Sequence, residues 1–251
     1  RAMNTRDRSP LPQASGLTPS GTAWSSWGEG EGDAIVFVHG VGMNQSVWAP
    51  QVDGLRHGFR VIVYDMLGHG QSRPDPGARD IGDYARQLVQ LLDDLSIDRA
   101  HVVGHSMGAL IALEMAVAHG ERCRSVMALN GVYRRTAEQR ASVQARADEL
   151  LARGKPDSVQ GTIGRWFGEP VPAQDQAAAE LCTQLLTDVP WQGYARAYDI
   201  FARSDERHLG RLEGITVPTL IATGELDPNS SPAMSEAMHA CIPGAQLCIL
   251  P

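Results

Sequence analysis

A serine stands between two glycines at residues 104–108, in the order Gly-His-Ser-Met-Gly. The predicted strand "HVV" precedes this motif, and the helical pattern "ALIALEMA" follows it. A strand that turns sharply into a helix needs very small residues two positions before and two positions after the turn, which then exposes the central side chain. The motif predicts that Ser106 is a nucleophile at the end of a strand. The alternative is an ordinary glycine-rich turn in which Ser106 only caps the helix.

Two backbone amides are predicted to stabilise the negative charge that develops when Ser106 attacks a carbonyl carbon. One amide belongs to Met107, and the other belongs to Val41 in the small-residue loop "HGVG" after an earlier apolar run. Such a pair of donors forms an oxyanion hole, in which each donor contributes roughly 10²–10³ in rate. The alternative for the Val41 loop is a plain turn, because the pair His39-Gly40 alone is unspecific.

Asp227, which ends the run "TLIATGELD", is the candidate acid that would orient a general base. Its carboxylate could instead cap the helix that follows, and Glu225 is an alternative acid. Asn130 ends the run "VMALN" and stands at the other place where an acid could lie. An amide cannot stabilise an imidazolium as a carboxylate does, so Asp227 is preferred.

The apolar pattern indicates the elements that must hold these groups. The runs "AIVFVHG", "RVIVYDMLGHG" and "AHVVGHS" are rich in β-branched residues and end in glycine-containing turns, which is typical of buried parallel strands. Between the second and third runs, the leucines of "DIGDYARQLVQLLDDL" recur at helical spacing, so a β-α-β unit is predicted. Later in the chain, "TAEQRASVQARADELLARG", "AAAELCTQLLTDV" and "WQGYARAYDIFAR" predict three helices.

The order of these elements predicts one α/β domain with an insertion. Residues 22–131 and 213–251 are expected to form the core, and residues 132–212 a helical cap, because that block is too long for an ordinary connection. Residues 1–21 are polar and contain several prolines and serines. We expect them to lie outside the fold, as a disordered arm or a remnant of cloning.

The motifs together resemble the α/β-hydrolase fold superfamily, in its capped serine esterase and lactonase branch. The resemblance rests on "FVHGVG", "YDMLGHGQS", "VVGHSMGA" and "PTLIATGELDPNSSP", and it covers residues 22–251. It implies a mostly parallel, twisted sheet flanked by helices. It also implies Ser106 as the nucleophile, Asp227 as the acid, and the amides of Val41 and Met107 as the oxyanion hole. The cap segment "RWFGEP" is similar to that of 3-oxoadipate enol-lactonases.

The resemblance further implies a catalytic histidine just after the last strand, "AQLCILP", which places this residue beyond Pro251. The eight histidines of the sequence fit other roles. His39 and His105 flank tight turns and are expected to be buried structural residues. The remaining ones lie in loops, at the ends of elements, in the cap or on the helix after Asp227.

The predicted function is hydrolysis of a small carboxylic ester or lactone through an acyl-enzyme on Ser106. C–C bond hydrolysis and cofactor-free perhydrolysis require the same groups, and a non-catalytic member that binds a small ligand is an alternative of another class. The substrate pocket is expected between the sheet and the cap. Its candidate lining residues are Trp48, Tyr133, Trp166, Trp191 and Tyr194, with Met107, Phe167, Tyr198 and Phe201 as further candidates.

Composition narrows the choice of partners. A formal net charge of −7 disfavours nucleic acid and anionic membrane surfaces. The four cysteines lie far apart, so neither a metal site nor a redox motif is predicted, and no cofactor is expected. We recognise no signal peptide and no apolar run of membrane-spanning length, and therefore expect a cytoplasmic protein. The sequence does not indicate an oligomeric state.

Overall fold

The computed structural model describes residues 10–28, 32–154 and 159–251, which form one twisted sheet flanked by helices. The sheet order is β1-β2-β4-β3-β5-β6-β7-β8, in which β1, β2 and β4 pair antiparallel and the other neighbours pair parallel. The strands are β1 Ala14–Leu17, β2 Ala23–Trp27, β3 Ala34–Val38, β4 Arg60–Tyr64, β5 Ala100–His105, β6 Cys123–Leu129, β7 Thr219–Gly224 and β8 Gln246–Leu250. The helices are α1 Ala49–Leu55, α2 Ile81–Asp94, α3 Met107–Ala118, α4 Ala137–Arg153, α5 Val159–Phe167, α6 Gln176–Asp188, α7 Trp191–Ala202 and α8 Pro232–Cys241.

The central strands are the three β-branched runs of the sequence. Every residue of β3 is buried, as expected for a parallel strand covered by helices on both faces. Helix α2 buries Leu88, Leu91 and Leu92, which confirms the β-α-β unit between β4 and β5. Helix α3 is apolar on all sides except at Glu114, and its first ten residues are buried. The core therefore lies on both sides of β3 and β5.

The parallel strands β3, β5, β6 and β7 end at the same edge of the sheet. Ser106 follows β5, the Gly40 loop follows β3, and Asp227 follows β7. In open α/β sheets, ligands bind outside the carboxyl ends of the strands. The fold thus brings the candidate residues to one edge although they are far apart in sequence.

The start of the chain corrects one expectation. Residues 1–21 were predicted to lie outside the fold, but Ala14–Leu17 forms the edge strand β1 and pairs antiparallel with β2. All four side chains of β1 are exposed. Main-chain hydrogen bonds hold the strand, and composition does not reveal such bonds. Residues 1–9 lie outside the described residues.

Helices α4, α5, α6 and α7 lie between β6 and β7, within residues 132–212, and we call this block of helices the cap. The sequence predicted three of them and missed α5. This helix contains Gly161, Thr162 and Gly164, which are weak helix formers. Its formation therefore depends on packing, which places Thr162 and Ile163 in the interior.

Two glycines set the approach of the cap to the core. Gly68, with a φ of +71°, lies in the loop after β4, and Gly193 lies in α7. A Cβ atom on Gly193 would overlap the backbone carbonyl of Gly68. The two backbones are therefore in direct contact, and neither position has room for a side chain.

The segment between α7 and β7, which leads from the cap back to the core, is held by a buried carboxylate. Glu114 lies in the middle of α3 and its side chain is 3% exposed. It accepts hydrogen bonds from Arg207 (2.7 Å), Arg211 (2.9 Å) and His208 (3.0 Å), all in the segment after α7. Arg207 also pairs with Asp80, which caps α2. We call Glu114, Arg207, His208 and Arg211 the Glu114 cluster.

Among the described residues, no helix combines the length and the apolar character that crossing a membrane requires. Within the same part of the chain, no group of three or more His, Cys, Asp or Glu side chains could hold a metal ion. The cysteines are free thiols, and Cys123 is buried.

Candidate active site

Ser106 occupies the strained turn between β5 and α3. Its φ of +59° and ψ of −118° are unusual for a residue other than glycine. A Cβ atom on Gly104 would overlap the carbonyl of Gly108, and one on Gly108 would overlap the carbonyl of Val38. These overlaps explain why both flanking positions are glycine. The Ser106 amide donates to the Leu129 carbonyl at 2.8 Å, which ties the turn to the end of β6.

The loop after β3 lies against this turn. A Cβ atom on Gly40 would be 3.2 Å from the Cβ atom of Ser106. The amide of Met107 is the first of α3, so it has no acceptor within its own helix. For the amide of Val41 the described residues supply no hydrogen-bond acceptor. Within the described part of the chain, both amides are thus donors without an acceptor, in segments next to Ser106.

Two buried histidines hold the loop that carries Val41. His39 Nε2 accepts from the Met66 amide at 3.0 Å, and His69 Nε2 accepts from the Gly42 amide at 3.0 Å. Each ring uses Nδ1 on a backbone carbonyl, so both must be neutral with the proton on Nδ1. Burial lowers the pKa of His39 to about 4, against the opposing hydrogen bond to Gly40. Burial and the nearby His39 lower the pKa of His69 to about 3.

Because His39 and His69 are neutral and buried in the folded protein, we predict that the protein loses stability in mild acid. Because their folded pKa values lie below the ordinary value of about 6.5, only the unfolded chain takes up these protons as the pH falls from about 7.5 to about 5.5. We expect their joint contribution to the free energy of unfolding to fall by roughly 3 kcal/mol over this range. Urea denaturation at several pH values measures it.

The control for this titration is the exposed His57. His69→Gln should flatten the dependence on pH, whereas His57→Gln should retain the wild-type slope. Equal slopes for wild type and His69→Gln would refute the explanation.

Asp227 is held on both of its oxygen atoms. Oδ1 accepts from the amides of Asn229 (2.8 Å) and Ser230 (2.9 Å), and Oδ2 accepts from Nδ2 of Asn130 (2.6 Å). The residue that caps α8 is Ser231, so the helix-capping alternative for Asp227 is wrong. Glu225 is exposed, and its side chain forms no hydrogen bond within the described residues. The geometry therefore favours Asp227 over Glu225 as the fixed carboxylate.

Ser106 lines two neighbouring cavities between the sheet and the cap. The larger, of about 680 Å³, also contains Asp227, Asn130 and His105. The smaller, of about 370 Å³, extends into the cap towards α4, α5 and α7. Cavities of this size can enclose a small organic molecule.

The predicted pocket residues divide between these cavities and other places. Trp48 lines the larger cavity, Tyr194 the smaller, and Trp166 both. Tyr133 is buried elsewhere, with its hydroxyl 3.9 Å from Cys241 Sγ. Trp191 is exposed and lines a separate cavity beside Gly68. The prediction was therefore wrong for Tyr133 and Trp191, because aromatic type does not show which face of an element a residue occupies. Of the further candidates, Tyr198 and Phe201 line the smaller cavity and Phe167 the larger one.

Arginines of the smaller cavity were not predicted. Arg135, Arg146 and Arg165 line it, together with one acidic residue, Glu138. Arg135 is neutralised by Asp205 and lies over the ring of Phe201. No sequence signal distinguishes the other two, since the cap helices also carry arginines, such as Arg153 and Arg196, that do not line this cavity.

Histidines of the described residues contribute no hydrogen bond to Ser106 or Asp227. His105 was expected to be buried, but it is exposed in the larger cavity, because its position at the end of β5 turns it away from the core. His208 is buried against Glu114. His239 lies in α8, where its ring bonds to the Ala245 carbonyl.

Comparison with known proteins supports the assignment of the fold. Residues 33–251 match the model of a family described as the alpha/beta hydrolase fold. The chain is 35% identical to 3-oxoadipate enol-lactonase 1 of Acinetobacter baylyi over 82% of this chain and 76% of the relative. It is 34% identical to (E)-2-((N-methylformamido)methylene)succinate hydrolase of the same species, over 84% and 78%. The solved enol-lactonase of Burkholderia xenovorans superposes with a TM-score of 0.80 at 27% identity, covering 94% of this chain and 91% of that one.

Proposed function

Because the chain belongs to the α/β-hydrolase family, we propose that it is a serine hydrolase that cleaves a small carboxylic ester or lactone through an acyl-enzyme. The observation that carries the proposal is the Ser106 turn, which lies beside two amide donors that have no acceptor among the described residues and which opens into both cavities. A plain glycine-rich turn would require neither the strained φ of Ser106 nor the close approach of the Gly40 loop.

In the proposed mechanism, Ser106 Oγ attacks the carbonyl carbon while a general base takes its proton. The amides of Val41 and Met107 donate hydrogen bonds to the resulting oxyanion. When the C–O bond to the leaving group breaks, the base returns the proton to the departing alkoxide. A water molecule then attacks the acyl-enzyme by the same steps, releasing the acid and restoring Ser106. Asp227 orients the base and stabilises its protonated form.

We propose that the base is a histidine carried by the segment after β8. Pro251, which directly follows β8, lines the larger cavity with Ser106 and Asp227. The Glu225 amide donates to the Leu250 carbonyl at 2.7 Å, so the end of β8 is tied to the turn that carries Asp227. The shared cavity and this hydrogen bond support a base that is supplied from the end of β8.

The substrate is proposed to carry a carboxylate. Arg146 donates to Tyr198 Oη (3.1 Å), and Arg165 donates to Thr162 Oγ1 (3.0 Å). No carboxylate of the described chain lies within ion-pairing distance of either guanidinium. Two arginines that face a cavity without an acidic partner favour an anionic ligand. One similar protein is named as the hydrolase of a succinate derivative, which agrees with this charge.

Labelling with a fluorophosphonate probe tests the proposal. Such probes form a stable bond only with an activated serine, and peptide mass spectrometry identifies the residue modified. We expect one adduct per chain, on the peptide that contains Ser106, and none after heat denaturation. A folded, full-length protein that stays unlabelled would contradict the proposal and favour a non-catalytic ligand-binding member.

Arg146 and Arg165, which have no carboxylate partner among the described residues, give a separate prediction on specificity. Arg146→Met and Arg165→Met should each lower kcat/KM for a carboxylate-bearing ester by roughly tenfold or more, which corresponds to about 1.4 kcal/mol. The neutral methyl ester of the same compound should be affected much less. Arg153→Met is the matched control, since Arg153 ends the same helix, α4, in an exposed ion pair with Glu149. Equal losses on the charged and the neutral substrate would refute a carboxylate site.

A further inference from the structure

Ser106 lies where the two cavities meet, but the groups that would handle its proton lie on one side only. Ser106 and Val41 line both cavities. Asp227 and Pro251 line the larger cavity and not the smaller one. The proposed base, which Asp227 orients, is therefore expected on the side of the larger cavity.

The position of the base determines where each half of an ester must lie. During attack, the carbonyl carbon holds four groups, which are Ser106 Oγ, the oxyanion, the leaving oxygen and the acyl chain. The oxyanion must point to the amides of Val41 and Met107, and the leaving oxygen must face the base that returns the proton to it. The leaving group thus extends into the larger cavity, which leaves the smaller cavity for the acyl chain.

The smaller cavity is suited to a negative charge. Arg146 and Arg165 line it, and neither has a carboxylate partner within the described chain. A third arginine, Arg135, is already neutralised by Asp205. The acidic residue of the lining, Glu138, is exposed in the first turn of α4, roughly two turns before Arg146. A carboxylate on an acyl chain would therefore meet two available guanidinium groups.

The larger cavity has the opposite character. Its described lining includes the carboxylates of Glu225 and Asp227, and Arg165, which borders both cavities, is its arginine. Trp48 and Phe167 add apolar surface. Carboxylates repel an anion, and apolar side chains do not solvate it. This cavity therefore favours an uncharged leaving group.

We propose that the carboxylate of the substrate belongs to its acyl half, and that the leaving group is uncharged. This inference rests on the proposed function. As the bond from Ser106 Oγ to the carbonyl carbon forms and the C–O bond to the leaving group breaks, the proton taken from Ser106 passes to the leaving oxygen. The acyl-enzyme keeps its carboxylate in the smaller cavity, and attack by water then releases a dicarboxylate. The substrate is a monoester of a dicarboxylic acid, or a lactone that carries its carboxylate on the carbonyl side of the ring.

Two esters with the charge on opposite halves test this assignment on the full-length protein. Mono-4-nitrophenyl glutarate has its carboxylate on the acyl half, and 4-acetoxybenzoate has it on the leaving group. Each is compared at neutral pH with its own neutral methyl ester, so that differences in leaving-group reactivity largely cancel. We expect kcat/KM to favour the charged glutarate by at least about tenfold over its methyl ester. For 4-acetoxybenzoate the charged form should have no advantage.

The variant Arg146→Met identifies the cavity that binds the charge, because Arg146 lines only the smaller one. It should remove most of the preference for the charged glutarate and change kcat/KM for 4-acetoxybenzoate by less than about twofold. A general disturbance of α4 would lower both rates equally. Arg153→Met, at the exposed end of the same helix, should retain the wild-type preference.

The outcomes are distinguishable. If wild type favours charged 4-acetoxybenzoate over its methyl ester as strongly as it favours the charged glutarate, or if Arg146→Met impairs both charged esters equally, the acyl assignment is refuted while the serine hydrolase proposal stands. If wild type favours neither charged ester, the carboxylate site fails as well. If Arg146→Met does not fold, the comparison in wild type decides alone. If wild type hydrolyses none of the four esters and does not react with the fluorophosphonate probe, the proposed function itself fails.

Discussion

Replacing Ser106 with alanine is expected to lower kcat by about 10⁴-fold or more while the protein remains folded. The serine hydroxyl is the only group in the proposed mechanism that forms a covalent bond with the substrate, and members of such a triad act as a unit. Residual turnover would come only from binding and from the oxyanion hole. Initial rates on a carboxylate-bearing ester give the measurement.

The structure also predicts that Ser106→Ala is neutral for folding. No hydrogen bond from Ser106 Oγ to another described residue is observed. Alanine keeps the Cβ atom of serine, so the substitution removes only the hydroxyl group from the turn. We expect the free energy of unfolding to change by less than about 1 kcal/mol. The exposed Ser46 provides a control, in which Ser46→Ala should retain wild-type kcat. If Ser106→Ala retained most of the wild-type rate, the nucleophile would have to be another residue.

The second large effect is expected at Glu114. Replacing Glu114 with alanine removes a buried carboxylate that binds three cationic or hydrogen-bonding partners, and it leaves the buried ring of His208 without an acceptor. Loss of one partner of a buried ion pair costs about 3–5 kcal/mol. We expect a decrease of this size in the free energy of unfolding, measured by urea denaturation at neutral pH.

The dependence of this stability loss on pH tests whether the charge of Glu114 is its cause. Burial alone would raise the pKa of Glu114, but hydrogen bonds from His208, Arg207 and Arg211 hold it well below its usual range. Its contribution is therefore complete above the ordinary glutamate pKa of about 4.3 and is lost as the pH falls below that value. The difference in stability between wild type and Glu114→Gln should shrink over the same range.

Glu121→Gln is the control for the glutamate substitutions, since Glu121 is exposed just beyond the end of α3. It should change the stability by less than about 0.5 kcal/mol. If Glu114→Ala were no more destabilising than this control, the Glu114 cluster would not hold the cap to the core.

The sequence predicted those parts of the fold that depend on local pattern. The β-branched runs correspond to β3, β4 and β5, since strands buried on both faces consist mostly of apolar residues. The leucine spacing corresponds to α2, since a helix buried on one face has apolar residues at helical spacing. The glycines at 104 and 108 also indicated the sharp turn at Ser106, since this turn leaves no room for a side chain at either position.

The features that sequence analysis missed depend on contacts between distant segments. Glu114 is separated from Arg207 by 93 residues and from Arg211 by 97, so nothing near it predicts a buried charge in an apolar helix. Strand β1 is held by main-chain bonds that are independent of residue type. Arg146 lines the smaller cavity whereas Arg153 of the same helix is exposed, and this difference depends on how α4 packs. Tyr133 and Trp191 show the reverse error, in which aromatic residues suitable for a pocket face elsewhere.

The contact between Gly68 and Gly193 has a consequence for attempts to alter substrate scope by directed evolution. The backbone of α7 contacts the loop that contains Gly68, and this contact fixes the position of α7. Tyr194 and Tyr198 of α7 line the smaller cavity together with Ser106, so the contact also limits the size of that cavity. Mutant libraries that vary Gly68 or Gly193 should consist mostly of misfolded proteins. Diversity is better introduced in α4 and α5, whose side chains determine the charge of the smaller cavity without supporting the cap at this contact.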